Sequence, residues 1–411
     1  MRRSAFLPDP PDWRDLNARA AGSGLTALAL YLFGPIPMHV AVAAKIGLTP
    51  AQTAGWIFAG WLPAALGSLW LSLRHRQPIS IVMSVPAVIY LGTLAGELSY
   101  TELVGANIAA GVLVLVFALL GAGERFAHLV PLPIVLGMFA GTLFAWVLGI
   151  AEATVADAAI AGSAIAGYAA VRRLDRHWLP PVPMAAVTGA VAVVLLRGIE
   201  TDAVRWVSPD LGLAAASFSL STVVSVGLPL AALTFGLGNV QGIGFLRGQG
   251  YAPPARRISI ATGWSSLVSA VLGGSPTGLG LGSIGIVAGS DAGPPRGRYW
   301  ASAIAATFAV AVAIGGGTLA TVLGALPASY VTVIAGLAAW PVFRGSTRGA
   351  LSGELRIGAS VAFLVAATPF AAAGITSAFW AIPLGMAASL VLERRDLRRF
   401  WRLARQAEVA T

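Results

Sequence analysis

Gly273–Ile286 reads GGSPTGLGLGSIGI, with hydrophobic sequence on both sides. The stretch is too rich in glycine for an ordinary membrane helix. It also lies too deep in apolar sequence to be a surface loop. Non-helical backbone at membrane depth is tolerated where it is buried in protein or lines a cavity. In carriers such breaks bring half-helix N-termini, with partial positive charge, toward a substrate near the midplane. The rest of the chain is read outward from this break.

The composition fixes the solvent. The 411 residues are 57% apolar and 11% charged, with mean hydropathy +0.79. A soluble protein carries about 25% charged residues. There is no cysteine, so disulfide and thiolate chemistry are excluded. The net charge of +10 does not form one basic patch, so nucleic acid is not expected. The positives fall at the ends of hydrophobic runs, as topology signals do. The N-terminus is too rich in proline and acid for a signal peptide. It reads as a cytosolic tail with a short interfacial helix near Trp13–Arg19.

A spanning helix needs about 20 apolar residues. Runs lie near Ala20–Ile46, Ala51–Leu73, Pro78–Leu94, Leu103–Ala122, Pro131–Ile150, Ala156–Val171 and Pro183–Leu196. After a connector the pattern restarts: Ser221–Arg247, Ile258–Leu272, Ser275–Ala288, Tyr299–Leu323, Ala328–Phe343, Arg356–Ala373 and Ile375–Leu392. The fold class is therefore an all-α polytopic membrane protein with about fourteen transmembrane segments. Pro35 and Pro37 interrupt the first run around His39. The third run starts β-branched and extended; Pro86 then fits a first helical turn, with Ser84 near its cap. That makes a strand followed by a half-helix. If the spans alternate from an inside start, only Lys45, Arg197 and Arg205 of the 27 Lys and Arg fall outside. Arg2, Arg3, Arg125 and Arg176 are among those placed inside. Both termini are then cytoplasmic.

Two halves of seven spans would have opposite orientation. Phe33-Gly34 matches Phe235-Gly236, and each is followed by a break and a Gly-x-x-Pro turn ending at Pro50 or Pro253. The strand-like third run corresponds to the glycine-rich tenth. Paired interrupted segments point to the transport site.

AQTAGW (51–56), Ser84-Val-Pro86, SVGLPLAALTFGLGNVQGIGFLRGQGYAPP (225–254), GRYWASAIA (297–305), LPASYVTVIAGLA (326–338) and GITSAFW (374–380) resemble the benzoate/proton symporter family. That family is grouped with nucleobase–ascorbate and sulfate transporters of seven-plus-seven inverted-repeat fold. The resemblance implies a core domain (20–122 and 221–324) and a gate domain (123–198 and 325–392). It implies a connector at 199–220 and cytosolic tails at 1–19 and 393–411. It also implies a substrate site between spans three and ten, elevator-like motion, a bacterial-type inner membrane and, as an assembly, a homodimer. No cofactor or metal is implied, and no enzymatic activity. The eighth span departs from the family pattern by keeping Asn239 while replacing its Gln neighbour and Pro. The tenth span departs in carrying Gly282 and Ser283.

The candidate substrate residues are Ser84, Val85, Gly282 and Ser283 at the two half-helix starts, Asn239 and Gln241 in span eight, and Met38 and His39 in span one. Asn239 and Gln241 either touch substrate or bond between helices. Ser84 either caps its helix or also meets the substrate. His39 is a structural histidine or a proton-exchanging one. No carboxylate is placed at the midplane, which favours an anion over a neutral base. Gly280-Leu-Gly282-Ser-Ile-Gly285 matches GxGxxG, but without a βαβ unit it does not indicate a dinucleotide site. The expected cargo is a small aromatic carboxylate with a proton. The alternatives are an inorganic anion, a nucleobase, or an uncoupled facilitator.

Overall fold

The computed structural model describes residues 12–120, 131–174, 181–198, 204–210, 215–368, 370–372 and 375–409. Arg2, Arg3, Arg125, Arg176 and part of the 199–220 connector lie outside these residues. The elements are α1 (Ala18–Phe33), α2 (Pro35–Ile46), α3 (Pro50–His75), β1 (Ile81–Met83), α4 (Val85–Thr93), α5 (Tyr100–Leu119), α6 (Leu132–Ala156), α7 (Ala158–Leu174) and α8 (Pro181–Arg197). The second half holds α9 (Leu220–Gly248) and α10 (Ala255–Val271), then β2 (Thr277–Leu279), α11 (Leu281–Val287) and α12 (Arg298–Gly324). It ends with α13 (Ala328–Leu351), α14 (Arg356–Ala367), β3 (Ala371–Ala372), β4 (Ile375–Thr376), α15 (Ser377–Leu392) and α16 (Arg394–Val409).

Among the described residues six helical stretches are long and apolar enough to cross a membrane: Ala18–Ile46, Pro50–His75, Tyr100–Leu119, Leu132–Ala156, Leu220–Gly248 and Pro295–Gly324. Their starts are written in the sequence. Thr49 and Gln52 form a capping box at α3, and Ser99 and Glu102 form one at α5. Outward faces carry exposed Leu119, Leu195, Leu220, Leu364 and Val391, as expected of a surface that meets lipid.

Two departures from expectation have local causes. The N-terminal segment forms a single 3₁₀ turn at Trp13–Asp15, not a helix to Arg19. Trp13 stacks on Trp300 with ring centroids 4.6 Å apart, and Trp300 Nε1 donates to the Asp12 carbonyl. The segment is thus held against α12, and Asn17 then caps α1. In the thirteenth run the helix stops at Ala367, after only 12 residues. The sequence places Pro369 just beyond, and the residue before a proline avoids helical backbone.

Helix pairs close where side chains are small. A Cβ on Gly263 would lie 2.7 Å from Leu115 Cα, so α10 meets the α5 backbone directly. Gly137 and Gly141 likewise bring α6 against the backbone of α14. The connector is tied to the ends of α3 and α5 by Asp210 N–H to Ala51 O and Ser217 N–H to Thr101 O.

α9 is not a regular helix. Val223–Gly227 and Leu233–Val240 are π-helical. Pro229 lacks an N–H for the carbonyl four residues before it. That carbonyl, on Ser225, accepts the Tyr90 hydroxyl at 2.7 Å.

The centre of the fold is the strand pair. β1 and β2 are antiparallel, with Ile81 opposite Leu279, Val82 opposite Gly278 and Met83 opposite Thr277. Each strand leads into a short helix, α4 or α11. The two helix starts therefore lie on either side of one two-stranded ribbon, although nearly half the chain separates them in sequence.

Candidate functional site

The break in the third run folds as its residues suggest. Ser84 is the N-cap of α4, and its Oγ accepts from Ala87 N at 3.4 Å. The Ser84 N–H is used elsewhere, donating to Pro276 O at 2.9 Å. In the tenth run Gly280 is the N-cap of α11 and has no side chain to fill that role. Its N–H donates to Ser80 O, and Ile284 N–H makes the first intrahelical bond, to Gly280 O at 2.8 Å. Helix geometry leaves the amides of Leu281, Gly282 and Ser283 without an intrahelical acceptor.

A cavity of about 660 Å³ lies against both helix starts. Ligand cavities for small molecules run about 300–1,000 Å³. Its polar lining is Tyr31, Ser84, Gln241, Ser283 and Ser346; no charged side chain is among its lining residues. The rest is apolar: Leu30 and Met38 from α1 and α2, Val82 and Met83 from β1, Leu237 from α9, and Leu136, Phe139, Val182, Pro341 and Val342 from α6, α8 and α13.

Sequence and structure meet unevenly here. Ser84, Val85, Gln241, Gly282, Ser283 and Met38 all line the cavity. Asn239 does not. It is buried and donates from Nδ2 to Thr262 Oγ1 of α10 at 2.8 Å, a helix–helix bond. His39 sits outside the lining as well, fully buried, edge-on to Trp56 with ring centroids 5.1 Å apart.

Two residues were missed. The Tyr31 hydroxyl lies 2.7 Å from Ser283 Oγ, and Ser80 Oγ lies 2.6 Å from the same atom. This three-hydroxyl cluster joins α1, the lead into β1 and the start of α11. Tyr31 lay in the apolar part of the first run ahead of its Pro35 break, and neither it nor Ser80 carried a local signal.

Chemically, the site offers amide and hydroxyl donors at one end and an apolar chamber beyond. Such donors suit an oxyanion without a full cation, because the charge is met by several dipoles.

Comparison with known proteins places this arrangement. The chain is 28% identical over 356 residues to Inner membrane protein YdcO of Escherichia coli (strain K12), covering 84% of this chain and 88% of that protein. It is 26% identical over 386 residues to the Benzoate membrane transport protein of Acinetobacter baylyi, covering 92% and 96%. Among solved structures, the transmembrane domain of a cyanobacterial bicarbonate transporter, BicA, superposes with TM-score 0.63 at 15% identity, over 93% of this chain and 99% of that one. SLC26A9 superposes with TM-score 0.63 at 13% identity, over 93% and 66%. These two likenesses establish a shared transporter fold. Residues 14–391 match the family described as Benzoate membrane transport protein, and the chain, a multi-pass membrane transporter, belongs to that family.

Proposed function

We propose that this transporter carries benzoate, or a similar small aromatic carboxylate, across the bacterial inner membrane together with a proton. The observation that carries the reading is the cavity's asymmetry: donors gather at the two helix starts, the remainder is mostly apolar apart from Gln241 and Ser346, and no charged lining residue competes. The carboxylate sits at Ser84, Val85, Gly282 and Ser283, with Gln241 beside it. The ring packs on Met38, Leu30 and Phe139. Affinity need only be millimolar to micromolar, on the order of 4–8 kcal/mol, because the site must also release. The relative from Acinetobacter baylyi, named for benzoate transport, supports the substrate class.

In this reading the chain has fourteen spans, in two inverted repeats of seven, with both termini in the cytoplasm. Residues 20–122 and 221–324 form the core, and 123–198 and 325–392 the gate. The core moves against the gate by an elevator-like step, and two copies associate through the gate. His39 exchanges the proton.

Uptake of labelled benzoate into proteoliposomes tests the substrate. Saturable uptake is expected, competed by unlabelled benzoate but not by uracil or sulfate. No benzoate uptake, beside robust uptake of either competitor, would sink the assignment. For coupling, an inward acid gradient is expected to drive accumulation, and His39→Ala to lose that drive. Tyr31→Phe removes one donor from the Ser283 cluster, a change of about 0.5–1.5 kcal/mol. The half-saturating benzoate concentration is therefore expected to rise roughly two- to tenfold. An unchanged value would detach the cluster from binding.

A further inference from the structure

Gly60 lies in the middle of α3 and is buried. A glycine inside a helix costs about 1 kcal/mol relative to alanine. Several buried glycines here repay that by letting another backbone approach, as Gly263 and Gly137 do. Gly60 does not fit that explanation. A Cβ built on it meets Met83 Cβ at 3.6 Å, Ser275 Oγ at 3.7 Å and His39 Nε2 at 3.9 Å, all ordinary contact distances. An alanine would fit, so the glycine leaves a hollow the size of a methyl group.

Two of the three atoms facing that hollow are polar, and neither has a hydrogen-bond partner: His39 Nε2 and Ser275 Oγ. Both residues are fully buried. Leaving either atom unpaired costs about 1–3 kcal/mol. A buried gap between unsatisfied polar groups is where proteins hold internal water. The other wall is aromatic, with Trp56 edge-on to His39 and Trp61 tilted at 6.4 Å. The nearby titratable group is Tyr31, packed on Trp61 with its hydroxyl committed to Ser283 and Ser80.

We propose that the hollow over Gly60 is a water-binding site that joins His39 to Ser275, in the glycine-rich break, and is the route by which a proton reaches the histidine. The water accepts from the Ser275 hydroxyl and donates to Nε2. When a proton arrives from solvent, the water passes one proton to Nε2 and takes the arriving one in its place. Water is regenerated, and the only new charge is on the imidazole. Because Ser275 lies two residues before β2, the protonation state of His39 is felt at the strand that ends in the α11 start. This rests on the proton-coupled reading above.

Gly60→Ala is the direct test, since it fills the hollow without a clash. Benzoate counterflow, which needs no pH gradient, is expected to stay within twofold of the unmodified protein. Accumulation driven by an inward acid gradient is expected to fall at least tenfold. Ser275→Ala, which removes an anchor without adding volume, should lose the same drive. A map near 2 Å resolution should show ordered water beside Gly60 in the unmodified protein and none in Gly60→Ala. Wild-type accumulation in Gly60→Ala, or a dry hollow in the unmodified protein, would overturn the proposal. Absence of benzoate counterflow in the unmodified protein would instead overturn the substrate assignment, and the water map would still decide the hollow.

Discussion

Gly282→Glu is expected to abolish uptake of an aromatic carboxylate, while Gly282→Gln retains most of it. Gly282 is the second residue of α11 and lines the cavity. Its nearest neighbour beyond the local chain would be Leu30 Cδ2, 3.4 Å from an added Cβ, so a longer side chain extends into open space. Glutamate and glutamine fill nearly the same volume and differ in charge. A carboxylate about 4 Å from the bound anion costs roughly 4 kcal/mol at an effective dielectric of 20. Each 1.4 kcal/mol is about tenfold in affinity. The half-saturating benzoate concentration should therefore rise by two to three orders of magnitude in the glutamate variant. The glutamine variant should stay within about tenfold of the unmodified protein. Equal behaviour of the two would mean that the anion does not rest at the start of α11.

The second large effect is mechanical. Gly280→Ala is expected to destabilise the protein by about 1–3 kcal/mol, the usual cost of overpacking a filled interior. Gly280 has φ −85° and ψ 102°, a backbone any residue adopts, so the effect is steric alone. An added methyl would overlap Val82 Cγ2 on the facing strand. Val82 is β-branched and cannot swing away freely. The melting temperature in detergent should drop by several degrees, and uptake should fall with it. Adding Val82→Ala returns the space and should restore much of both. A single variant that melts like the unmodified protein, or a pair that shows no rescue, would contradict this packing.

The break itself was legible because its causes are local. Glycine-rich sequence in the tenth run, and β-branched residues followed by Ser84 and Pro86 in the third, each force a strand and then a helix start. Gly137 and Gly141 announced close packing through their spacing. Asn239 was not legible, for a geometric reason. Each residue turns a regular helix by about 100°. The π-helical turns of α9 change that count, so a wheel drawn from sequence misplaces every face after the first wide turn. Asn239 consequently faces α10, while Gln241, two residues on, faces the cavity. Tyr31 and Ser80 were hidden differently. Their partner is Ser283, 252 and 203 positions away, and nothing in either local pattern records it. The early end of α14 was foreshadowed only by Pro369.

The strand pair carries one more implication. Ser84 to Pro276, Gly280 to Ser80, the β1–β2 ladder and the Tyr31–Ser283–Ser80 hydroxyls stitch one wall of the cavity into a single piece. Neither half-helix can shift without taking the other with it. The facing wall meets that piece mostly through Leu136, Phe139, Val182, Pro341 and Val342, side chains with nothing to donate or accept, with Ser346 the one hydroxyl it adds to the lining. Shear between the two walls would leave every one of those stitches intact and trade mostly apolar contacts for others. On the proposed elevator reading, this seam is the plane along which the core slips, with the cargo lying on it.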